Sequence, residues 1–502
     1  MNKIIITYKD WVKCNIQGLT DFDKQMLVNA YKIFVPMARF SPKYKLGVWD
    51  GYIRFFELTG NTYVSLVPEI LSKLDLSHYE DVEYIYAKDL KQDVDLGDDI
   101  DNDYMSDICW EEGHRLAGQP IRLEDHQVRV VNAFLHNHRG VVSSCTGSGK
   151  TLISAALFRK IKTFGRSVIV VPSKDLAQQS AEDYKKWGLD CGIVGCGLRE
   201  FGHNVTVCTW QTINSLEKRK NKEDSLTADE LKQLTVDVVC IIFDECHCCK
   251  GNEIKKVLEN TFRNVPIRYG LTGTVNKDKS EYMCLRTAIG NVLDEKVTAK
   301  ELQDLGFLSN CNINCIRLND NTLCQTYADE VDYLCSNGDR LTFIAKMIAQ
   351  IASTNNNTLI LVGRISMGEY LEKELTNLGA DAIFLNGSVK SKKRFAEYES
   401  IKTQNNRCLI CTDKIASTGL NIPRLFNIVF IDFGKSFTKT LQSIGRGLRK
   451  ASDKDKVTIF DISSTTKYSK KHFNDRIHFY EEAQYPYNIY NVNNNAWKKN
   501  GE

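Results

Sequence analysis

Several features that define other classes of protein are scarce in this sequence of 502 residues. Only 8 prolines are present, and a content of 42% hydrophobic and 26% charged residues is typical of a globular protein, which excludes a fibrous or largely disordered chain. No apolar run approaches the roughly 18 residues of a membrane helix. The start, MNKIIITYKDWVKC, lacks the hydrophobic region and cleavage site of a signal peptide. We therefore expect no membrane association and a cytoplasmic protein.

An excess of charge of one sign is also nearly absent, because the formal net charge is only +3. A polyanionic partner would have to be held by local groups of Lys and Arg, so composition neither indicates nor excludes nucleic acid. The 17 cysteines are an odd number scattered through apolar runs such as VVCIIF and NRCLIC. This usage is typical of reduced, buried thiols in a reducing compartment, and disulfides are not expected.

A chain of 502 residues is too long for one core, and about three domains are expected. From about residue 113 onward, apolar runs of strand length alternate with amphipathic segments of helix length, which predicts βαβ units and a parallel sheet. A second set of the same kind follows a junction near Val297 to Asn310. The predicted fold class is α/β, with two tandem parallel-sheet lobes at residues 113–298 and 299–490, a small α+β N-terminal domain at residues 1–112, and a disordered tail at residues 491–502.

An aspartate-rich run, DVDLGDDIDNDYMSD, spans Asp93 to Asp107. A calcium loop would need acidic residues at alternate positions followed by Gly and a distal Glu, and the run lacks that pattern. Its density of charge instead predicts a solvated, flexible linker before the first lobe.

Cations and aromatic residues are mixed in the N-terminal stretch RFSPKYKLGVWDGYIRFF. Such a mixture suits phosphate contact combined with base stacking, and Lys43, Lys45 and Arg54 are candidate DNA contacts. Trp49 and Asp50 have a second interpretation, in which Trp49 anchors the core of the small domain and Asp50 caps a turn. The sequence leaves both interpretations open for these two residues.

The strongest local signal is SSCTGSGKT, which follows an apolar run of strand length. Glycines in such a turn let backbone N–H groups surround a phosphate, the lysine reaches the β and γ phosphates, and the last threonine binds magnesium at a helix N-terminus. The residues concerned are Thr146, Gly147, Ser148, Gly149, Lys150 and Thr151. The alternative is a glycine-rich turn with a chance lysine, and Ser144 stands where the usual pattern has Gly or Ala.

A phosphate site of this kind needs carboxylates from a neighbouring strand, because magnesium needs an anchor and hydrolysis needs a group that orients the attacking water. The run VVCIIFDE supplies Asp244 for the metal and Glu245 for the water. The stretch continues with Cys246, His247, Cys248 and Cys249. These are common types of zinc ligand, but nearly contiguous side chains diverge and cannot complete a tetrahedron. The cysteines are therefore predicted to be packing residues.

A later stretch, QSIGRGLRK, places Arg446 and Arg449 three residues apart on a predicted helix, so that their side chains share one face. Such a pair can neutralise the charge that develops on a γ-phosphate during hydrolysis. Solvated surface arginines are the alternative interpretation.

Taken in order, TGSGKT, DECH, LTGT and QSIGRGLRK resemble the motif set of the superfamily 2 helicases, the group that holds the DEAD-box and DExH proteins. The resemblance implies two RecA-like motor lobes, ATP and Mg²⁺ as cofactors, and ATP hydrolysis coupled to nucleic-acid unwinding.

The resemblance also implies roles for residues in the matching motifs. Gln127 would read adenine, Gly419 would touch the nucleotide, and Gln442 would join Arg446 and Arg449 as a catalytic residue. His247, Thr272 and Thr274 would couple hydrolysis to strand movement. The implied nucleic-acid contacts are Pro172, Ser173, Lys174, Thr209, Gln211, Arg364 and Thr412. Asn421 stands where the family has Asp, so a direct transfer of that residue's role is not made.

A narrower resemblance, to the UvsW-type helicases of T-even-like bacteriophages, covers almost the whole chain and is carried by Arg39 to Phe56 together with WQT, DECH and IGRGLRK. It implies an ATP-dependent DNA helicase or translocase that remodels forks, D-loops, R-loops and Holliday junctions in phage recombination, repair and replication in the host cytoplasm. The expected partner is branched DNA, with RNA in R-loops, and a monomer is the default expectation. Alternatives are an RNA helicase, a nucleotide-gated DNA annealing or binding module with weak motor activity, and a subunit of a restriction-type complex.

Only 18 residues, Arg424 to Leu441, separate GLNIP from LQSIGR. That length leaves no room for the long strand-separating hairpin found there in some DNA helicases of the superfamily. A wedge is therefore expected elsewhere, with the N-terminal domain as a candidate, and junction remodelling is favoured over processive unwinding.

Overall fold

The computed structural model describes residues 2–35, 38–88, 90, 94–112, 116–195, 197–220, 225–246, 251–273, 278–307, 310–320, 322–353, 356–389, 396–398, 400–401, 404–412, 424–432, 434, 456–482 and 485–493. The chain folds as two compact units. The first comprises Met1–Ser144 and Gly149–Lys296, and the second comprises Cys145–Ser148 and Val297–Glu502. Within the described ranges, no helix has the length and apolar character needed to cross a membrane.

The first unit begins with a small α+β domain. Its strands are β1 (Asn2–Tyr8), β2 (Lys13–Gln17), β3 (Lys32–Phe34), β4 (Tyr52–Arg54), β5 (Asn61–Tyr63) and β6 (Tyr79–Tyr86), and its helices are α1 (Asp21–Ala30), α2 (Pro42–Lys45) and α3 (Val67–Lys73). One sheet has the order β5-β2-β1-β6, and β3 pairs with β4 in a separate antiparallel ribbon. Alternate residues of β1 point inward, so Ile4, Ile6 and Tyr8 are buried in the core of this domain.

The first lobe follows in the same unit. Its strands are β7 (Arg139–Ser144), β8 (Arg166–Val171), β9 (Cys191–Gly195), β10 (Leu198–Arg199), β11 (Val205–Thr209), β12 (Val238–Asp244), β13 (Ile267–Thr272) and β14 (Val292–Val297). Its helices are α4 (Asp125–Leu135), α5 (Lys150–Ile161), α6 (Lys174–Lys186), α7 (Trp210–Lys220), α8 (Ser225–Thr235), α9 (Gly251–Lys256) and α10 (Lys279–Ala288), with a π-helical turn at Val257–Thr261.

These eight strands form one sheet in the order β10-β9-β11-β8-β12-β13-β7-β14. From β9 through β11, β8, β12 and β13 to β7, each strand pairs in parallel with the next. Helices cover such a sheet on both faces, which explains why strands such as VVCIIF are continuously apolar. The predicted α/β lobe is confirmed.

The second unit contains a second parallel sheet. Its strands are β15 (Asn310–Asn319), β16 (Thr358–Val362), β17 (Asp381–Leu385), β18 (Arg407–Thr412), β19 (Asn427–Ile431), β20 (Lys456–Ser464) and β21 (Tyr487–Asn493). Its helices are α11 (Ala299–Asp304), α12 (Tyr327–Ser336), α13 (Gly338–Ala352), α14 (Ile365–Asn377) and α15 (Lys467–Glu482). The strand order is β17-β18-β16-β19-β20-β15-β21, and every pair is parallel.

Strand β21 differs from the sequence prediction, which began a disordered tail at residue 491. The strand pairs with β15 in register as far as Asn493, so the predicted boundary falls inside it. Its sequence, YNIYNVN, is rich in asparagine and mostly exposed at the edge of the sheet, and an edge strand of this kind has little apolar signal. Residues 494–502 lie outside the described ranges.

The aspartate-rich run is not the solvated linker that its charge predicted. Ile100 and Met105 are buried, as are Val94 and Leu96 near the start of the run. The backbone of Ile100 exchanges two hydrogen bonds of 2.9 and 3.0 Å with the Asn132 side chain of α4. The guanidinium of Arg159 on α5 donates to both carboxylate oxygens of Asp107, at 2.6 and 2.7 Å. The run is therefore an ordered segment that is hydrogen-bonded to α4 and α5 of the first lobe. Its apolar residues are buried, and the acidic residues between them are exposed.

A buried arginine ties the end of α10 to the first lobe's sheet. Arg268 on β13 is 0% exposed. Its guanidinium donates to four backbone carbonyls, those of Val265, Phe262, Arg263 and Ala288, at 2.9 to 3.1 Å. Burial lowers the pKa of Arg268, and the four carbonyls are hydrogen-bond acceptors that offset the cost of burying its charge.

We expect Arg268→Met to lower the free energy of unfolding by about 3 kcal/mol, because it leaves several buried carbonyls without a donor. Chemical denaturation followed by circular dichroism measures the change. Arg263→Met is the matched control, since the Arg263 side chain is exposed, and its effect should stay within about 0.5 kcal/mol. Equal stability of the two variants would contradict the anchoring role of Arg268.

Candidate functional site

The glycine-rich turn joins the end of β7 to the start of α5. Gly147 and Gly149 have φ angles of +93° and +78°, in the left-handed region that glycine adopts without strain. Ser148 is buried, and its hydroxyl donates to the Cys145 carbonyl at 2.8 Å. Thr146 precedes Gly147 in this turn, and Lys150 and Thr151 begin the helix. A helix N-terminus preceded by such a turn presents backbone N–H groups to an anion.

Lys150 is held between an oxygen of its own turn and a carboxylate. Its ammonium group donates to the Ser144 carbonyl at 3.2 Å and lies 3.0 Å from Oε1 of Glu245. The side chains of Lys150 and Glu245 are only 10% and 16% exposed. The lysine charge is therefore compensated by Glu245, in a partly buried setting where charge interactions are stronger than in water.

Asp244 and Glu245 stand side by side where β12 ends. Glu245 has a φ of +48°, an uncommon angle for a residue other than glycine, and its backbone N–H donates to Oδ1 of Asp244 at 2.9 Å. The other carboxylate oxygen of Glu245 accepts from the Gly273 N–H at 3.4 Å. Burial, reinforced by the charge of Glu245 and opposed by that of Lys150, raises the pKa of Asp244 to about 7.

Gln127 reaches the same turn from the first part of α4. Its carbonyl oxygen accepts from the Glu124 N–H at 3.0 Å, which completes a capping box and fixes the side chain. The other end of its amide is so close to Gly149 that a Cβ built on Gly149 would lie 2.2 Å from Nε2. The sequence pattern found Gln127 but did not show that Glu124 holds it.

The order of parallel strands explains how these distant residues meet. Strands β12, β13 and β7 are neighbours, and their carboxyl ends carry Asp244, Thr272 and Ser144 at one edge of the sheet. Thr272 is buried and in register with Ser143 of β7. The structure thus brings Lys150, Asp244 and Glu245 together, and it places Gln127 against Gly149. Thr272 precedes Gly273, whose N–H bonds to Glu245.

The candidate nucleic-acid contacts of the first lobe follow β8 and β11, at the same edge. Ser173 caps α6 by accepting from the Leu176 N–H at 3.2 Å, and Thr209 accepts from the Thr212 N–H at 3.3 Å at the start of α7. Pro172 is half-buried beside Ser173, and Lys174 and Gln211 are exposed. These loops are separated from the glycine-rich turn by β12 and β13.

In the second unit, Arg364 follows β16, and Thr412 is the last residue of the neighbouring strand β18. Arg364 precedes α14 and lies 3.7 Å from Asp332, while Thr412 is half-buried at the strand end. The sequence did not reveal Arg340, whose buried guanidinium donates to both oxygens of Asp432 at 2.7 and 2.8 Å. This pair fixes the end of β19, but it joins residues 92 apart in the chain and has no local signal.

The N-terminal candidates differ in their contacts, because Arg54 is held by another side chain whereas Lys43 and Lys45 are exposed. Arg54 donates to the carboxylate of Asp50, and Asp50 also accepts from the Tyr52 N–H at 3.1 Å, as expected of a turn cap. Trp49 is only half-buried, and its indole N–H donates to the Tyr52 carbonyl at 2.9 Å. Lys43 and Lys45 on α2 are exposed.

Six candidates lie outside the described residues and remain predictions: His247, Thr274, Gly419, Gln442, Arg446 and Arg449. Cys248 and Cys249 also lie outside them, whereas Cys246 is buried in the core of the first lobe. Among the side chains that the structure does describe, no group of three or more His, Cys, Asp or Glu residues is placed to hold a metal ion.

Comparison with known families adds an observation independent of this geometry. Residues 120–277 match the family "Type III restriction enzyme, res subunit", and residues 339–451 match the family "Helicase conserved C-terminal domain". The two matches follow each other as the two motor lobes do. The chain is a superfamily 2 helicase. It is an ATP-driven enzyme, as the sequence predicted.

The helicase is similar to the ATP-dependent DNA helicase uvsW of Enterobacteria phage T4, with 24% identity over 490 residues that cover 91% of this chain and 93% of that protein. Among solved structures, the ATP-dependent Type ISP restriction-modification enzyme LlaBIII bound to DNA matches with a TM-score of 0.56 and 14% identity, covering 85% of this chain and 36% of that one. S. cerevisiae Dbp5 bound to RNA and ADP BeF3 matches with a TM-score of 0.52 and 15% identity, covering 75% and 91%. The structural matches show a shared fold.

We expect Gly149→Ala to weaken ATP binding by the helicase about tenfold or more. The new Cβ would displace the Gln127 amide, and an alanine at a φ of +78° also strains the turn by about 1 kcal/mol. Titration with a fluorescent ATP analogue measures the affinity. Gly188→Ala is the matched control, because Gly188 has a φ of +71° but nothing within 4 Å of the added Cβ. Unchanged affinity of the Gly149 variant, or equal losses in both variants, would contradict the assignment.

Proposed function

We propose that this helicase is an ATP-dependent DNA helicase or translocase that remodels branched DNA, including forks, D-loops, R-loops and Holliday junctions, in phage recombination, repair and replication in the host cytoplasm. The observation that carries the proposal is the arrangement of Lys150, Asp244 and Glu245 at the sheet edge that also carries the loops after β8 and β11. Similarity along nearly the whole chain to a phage DNA helicase supports DNA as the substrate.

The nucleotide site works through an exchange of partners at Lys150. When ATP enters, its β and γ phosphates replace Glu245 as the anions that compensate the lysine. Glu245 is then available to orient the attacking water. Gln127, fixed by Glu124, lies beside the turn as the group that recognises adenine. One acidic residue thus serves as the counterion of Lys150 without ATP and as the catalytic carboxylate with it.

Mg²⁺ fits this site by the chemistry of its donors. The Thr151 hydroxyl and the Asp244 carboxylate are oxygen ligands of the kind that Mg²⁺ prefers, and Asp244 is close enough to Lys150 for the lysine charge to act on its pKa. When bound, the ion supplies positive charge to the phosphates. The residues themselves position the nucleotide and exclude bulk water from the partly buried Lys150.

The remaining roles complete the proposal. Arg446 and Arg449, with Gln442, neutralise charge on the γ-phosphate; Gly419 contacts the nucleotide; and His247, Thr272 and Thr274 couple hydrolysis to movement of the strand. Phosphates of one strand meet Pro172, Ser173, Lys174, Thr209 and Gln211 in the first lobe, and Arg364 and Thr412 in the second. The small domain at residues 1–112 adds Lys43, Lys45 and Arg54, and the helicase acts as a monomer.

One comparison of substrates tests the proposal against an RNA helicase and against an annealing module. ATP turnover and strand separation are measured on a DNA fork, a four-way junction, an R-loop, a linear duplex and an RNA duplex. We expect the branched DNAs to stimulate turnover and to be opened at least several-fold faster than the linear duplex or the RNA. Lys150→Ala is the control and should bind the same DNA but lose turnover and opening.

Preference for the RNA duplex would select the RNA helicase. Annealing by the wild-type protein without any ATP-dependent opening would select the binding module. Retained ATP turnover in Lys150→Ala would overturn the nucleotide-site assignment.

A further inference from the structure

An exposed apolar cluster projects from the N-terminal domain between β3 and β4. It consists of Phe40, Leu46 and Val48, whose side chains are 71%, 77% and 76% exposed. Three of the five most exposed large hydrophobic residues in the described part of the chain thus fall within nine consecutive positions. Single exposed apolar residues are common, but a concentration of them marks an interaction surface.

Backbone hydrogen bonds order the segment that carries this apolar cluster. After α2, the N–H groups of Leu46 and Gly47 bond back to α2, to the carbonyls of Pro42 and Tyr44, at 2.9 and 3.0 Å. The N–H of Val48 bonds to the Lys43 carbonyl at 3.0 Å. The backbone from Leu46 to Val48 is therefore fixed, while Phe40, Leu46 and Val48 stay exposed to solvent.

A layer of aromatic side chains packs against the segment through Tyr44. Phe34 of β3 packs edge-on against Tyr44 of α2 and Tyr52 of β4, with ring centroids 6.1 and 5.3 Å apart. Gly51 closes the layer, since a Cβ there would lie 2.6 Å from the Phe34 ring and 3.1 Å from Ala38. The β3–β4 ribbon and this layer thus pack against Ala38 and Tyr44, which stand two residues before Phe40 and Leu46 in the chain.

The charge around the apolar cluster identifies the chemistry of its partner. Arg39, Lys43 and Lys45 lie among the three apolar residues, and the sequence has no Asp or Glu from Ala38 to Trp49. Cations beside exposed apolar and aromatic side chains suit a nucleic acid whose phosphates and base faces are both accessible. Base faces become accessible at the end of a duplex or at a fork, where a base pair has lost its stacking neighbour.

The domain that carries the apolar cluster is fixed to the first motor lobe. The backbone N–H of Trp11 donates to the Arg263 carbonyl at 2.9 Å, and Lys13 pairs with Glu259 at 3.2 Å. Arg286 of α10 pairs with Glu69 of α3, and Cys284 of the same helix is buried in the core of the N-terminal domain. Backbone, ionic and core contacts therefore hold the N-terminal domain against the first lobe.

We propose that Phe40, Leu46 and Val48 form the strand-separating wedge of this helicase. Phe40 stacks on the base pair at a fork, Leu46 and Val48 fill the space beside it, and Lys43 and Lys45 hold the phosphates of the parted strands. The inference rests on the proposed DNA helicase function and adds the site where the duplex is opened. Apolar side chains inserted at a base step are known to unstack DNA, at a cost that contacts with the deformed DNA repay.

The test compares variants of the full chain on a DNA fork that carries 2-aminopurine at its junction pair. Phe40→Ser/Leu46→Ser/Val48→Ser removes the apolar cluster, and Lys43→Ala/Lys45→Ala removes the adjoining cations. Phe22→Ser is the matched control, because Phe22 is 80% exposed on α1 of the same domain. The three readouts are ATP turnover with single-stranded DNA, the rate of fork opening, and 2-aminopurine fluorescence at the junction.

We expect the triple variant to keep its ATP turnover on single-stranded DNA and to open the fork about tenfold or more slowly, as for the loss of a base–aromatic stack. It should also lose the change in 2-aminopurine fluorescence that the wild type produces. The lysine variant should need several-fold more DNA for half-maximal opening but reach a similar maximal rate. Phe22→Ser should behave as the wild type.

Several results would overturn the proposal that Phe40, Leu46 and Val48 separate the strands. Fork opening by the triple variant at the wild-type rate would do so and would leave the surface to a protein partner. Loss of ATP turnover in the triple variant would assign it a structural role instead. A wild-type dimer that the triple substitution converts to a monomer would assign the surface to self-association. If the wild type opens no DNA at all, the proposed function fails, and the wedge fails with it.

Discussion

The working site of this helicase depends on one geometric constraint, that the carboxyl ends of neighbouring parallel strands lie at one edge of a sheet. Strands β7, β12 and β13 deliver Ser144, Asp244 and Thr272 to that edge, although about a hundred residues separate the first from the second. Because a parallel sheet is covered on both faces, its strands must be continuously apolar. The polar residues that do chemistry are therefore confined to the strand ends and the turns that follow.

The pairing of Lys150 with Glu245 follows from this confinement. Two opposite charges, Lys150 at the start of α5 and Glu245 directly after β12, are each largely shielded from water and compensate one another at 3.0 Å. In the proposed mechanism, Glu245 also orients the water that attacks the γ-phosphate. The carboxylate that compensates Lys150 in this structure is thus the one that we propose for hydrolysis, with ATP binding as the event that releases it.

The sequence predicted those parts of the fold and site that have a local signal. The runs VVCIIF and SVIVV became β12 and β8, and SSCTGSGKT became the turn before α5. The prediction of a solvated linker for the aspartate-rich run is wrong, because isolated apolar residues such as Ile100 and Met105 are buried while the acidic residues between them stay at the surface. The density of charge in the run indicates which residues are exposed, but it does not indicate that the apolar residues between them are packed. The bond from Arg268 to Ala288 and the Arg340–Asp432 pair have no local pattern, since they join residues 20 and 92 apart that come together only in the folded chain.

The central claim is that Glu245 has these two roles, and parallel measurements of ATP affinity and ATP turnover in Glu245→Gln test it most directly. The substitution releases Lys150 and removes a negative charge near the phosphates, so ATP should bind as tightly as in the wild type or several-fold tighter. Turnover should fall by about a hundredfold or more, as expected when a catalytic carboxylate is lost. Glu253→Gln, on α9, should change neither quantity. Weaker ATP binding by Glu245→Gln, or turnover near that of the wild type, would contradict the account.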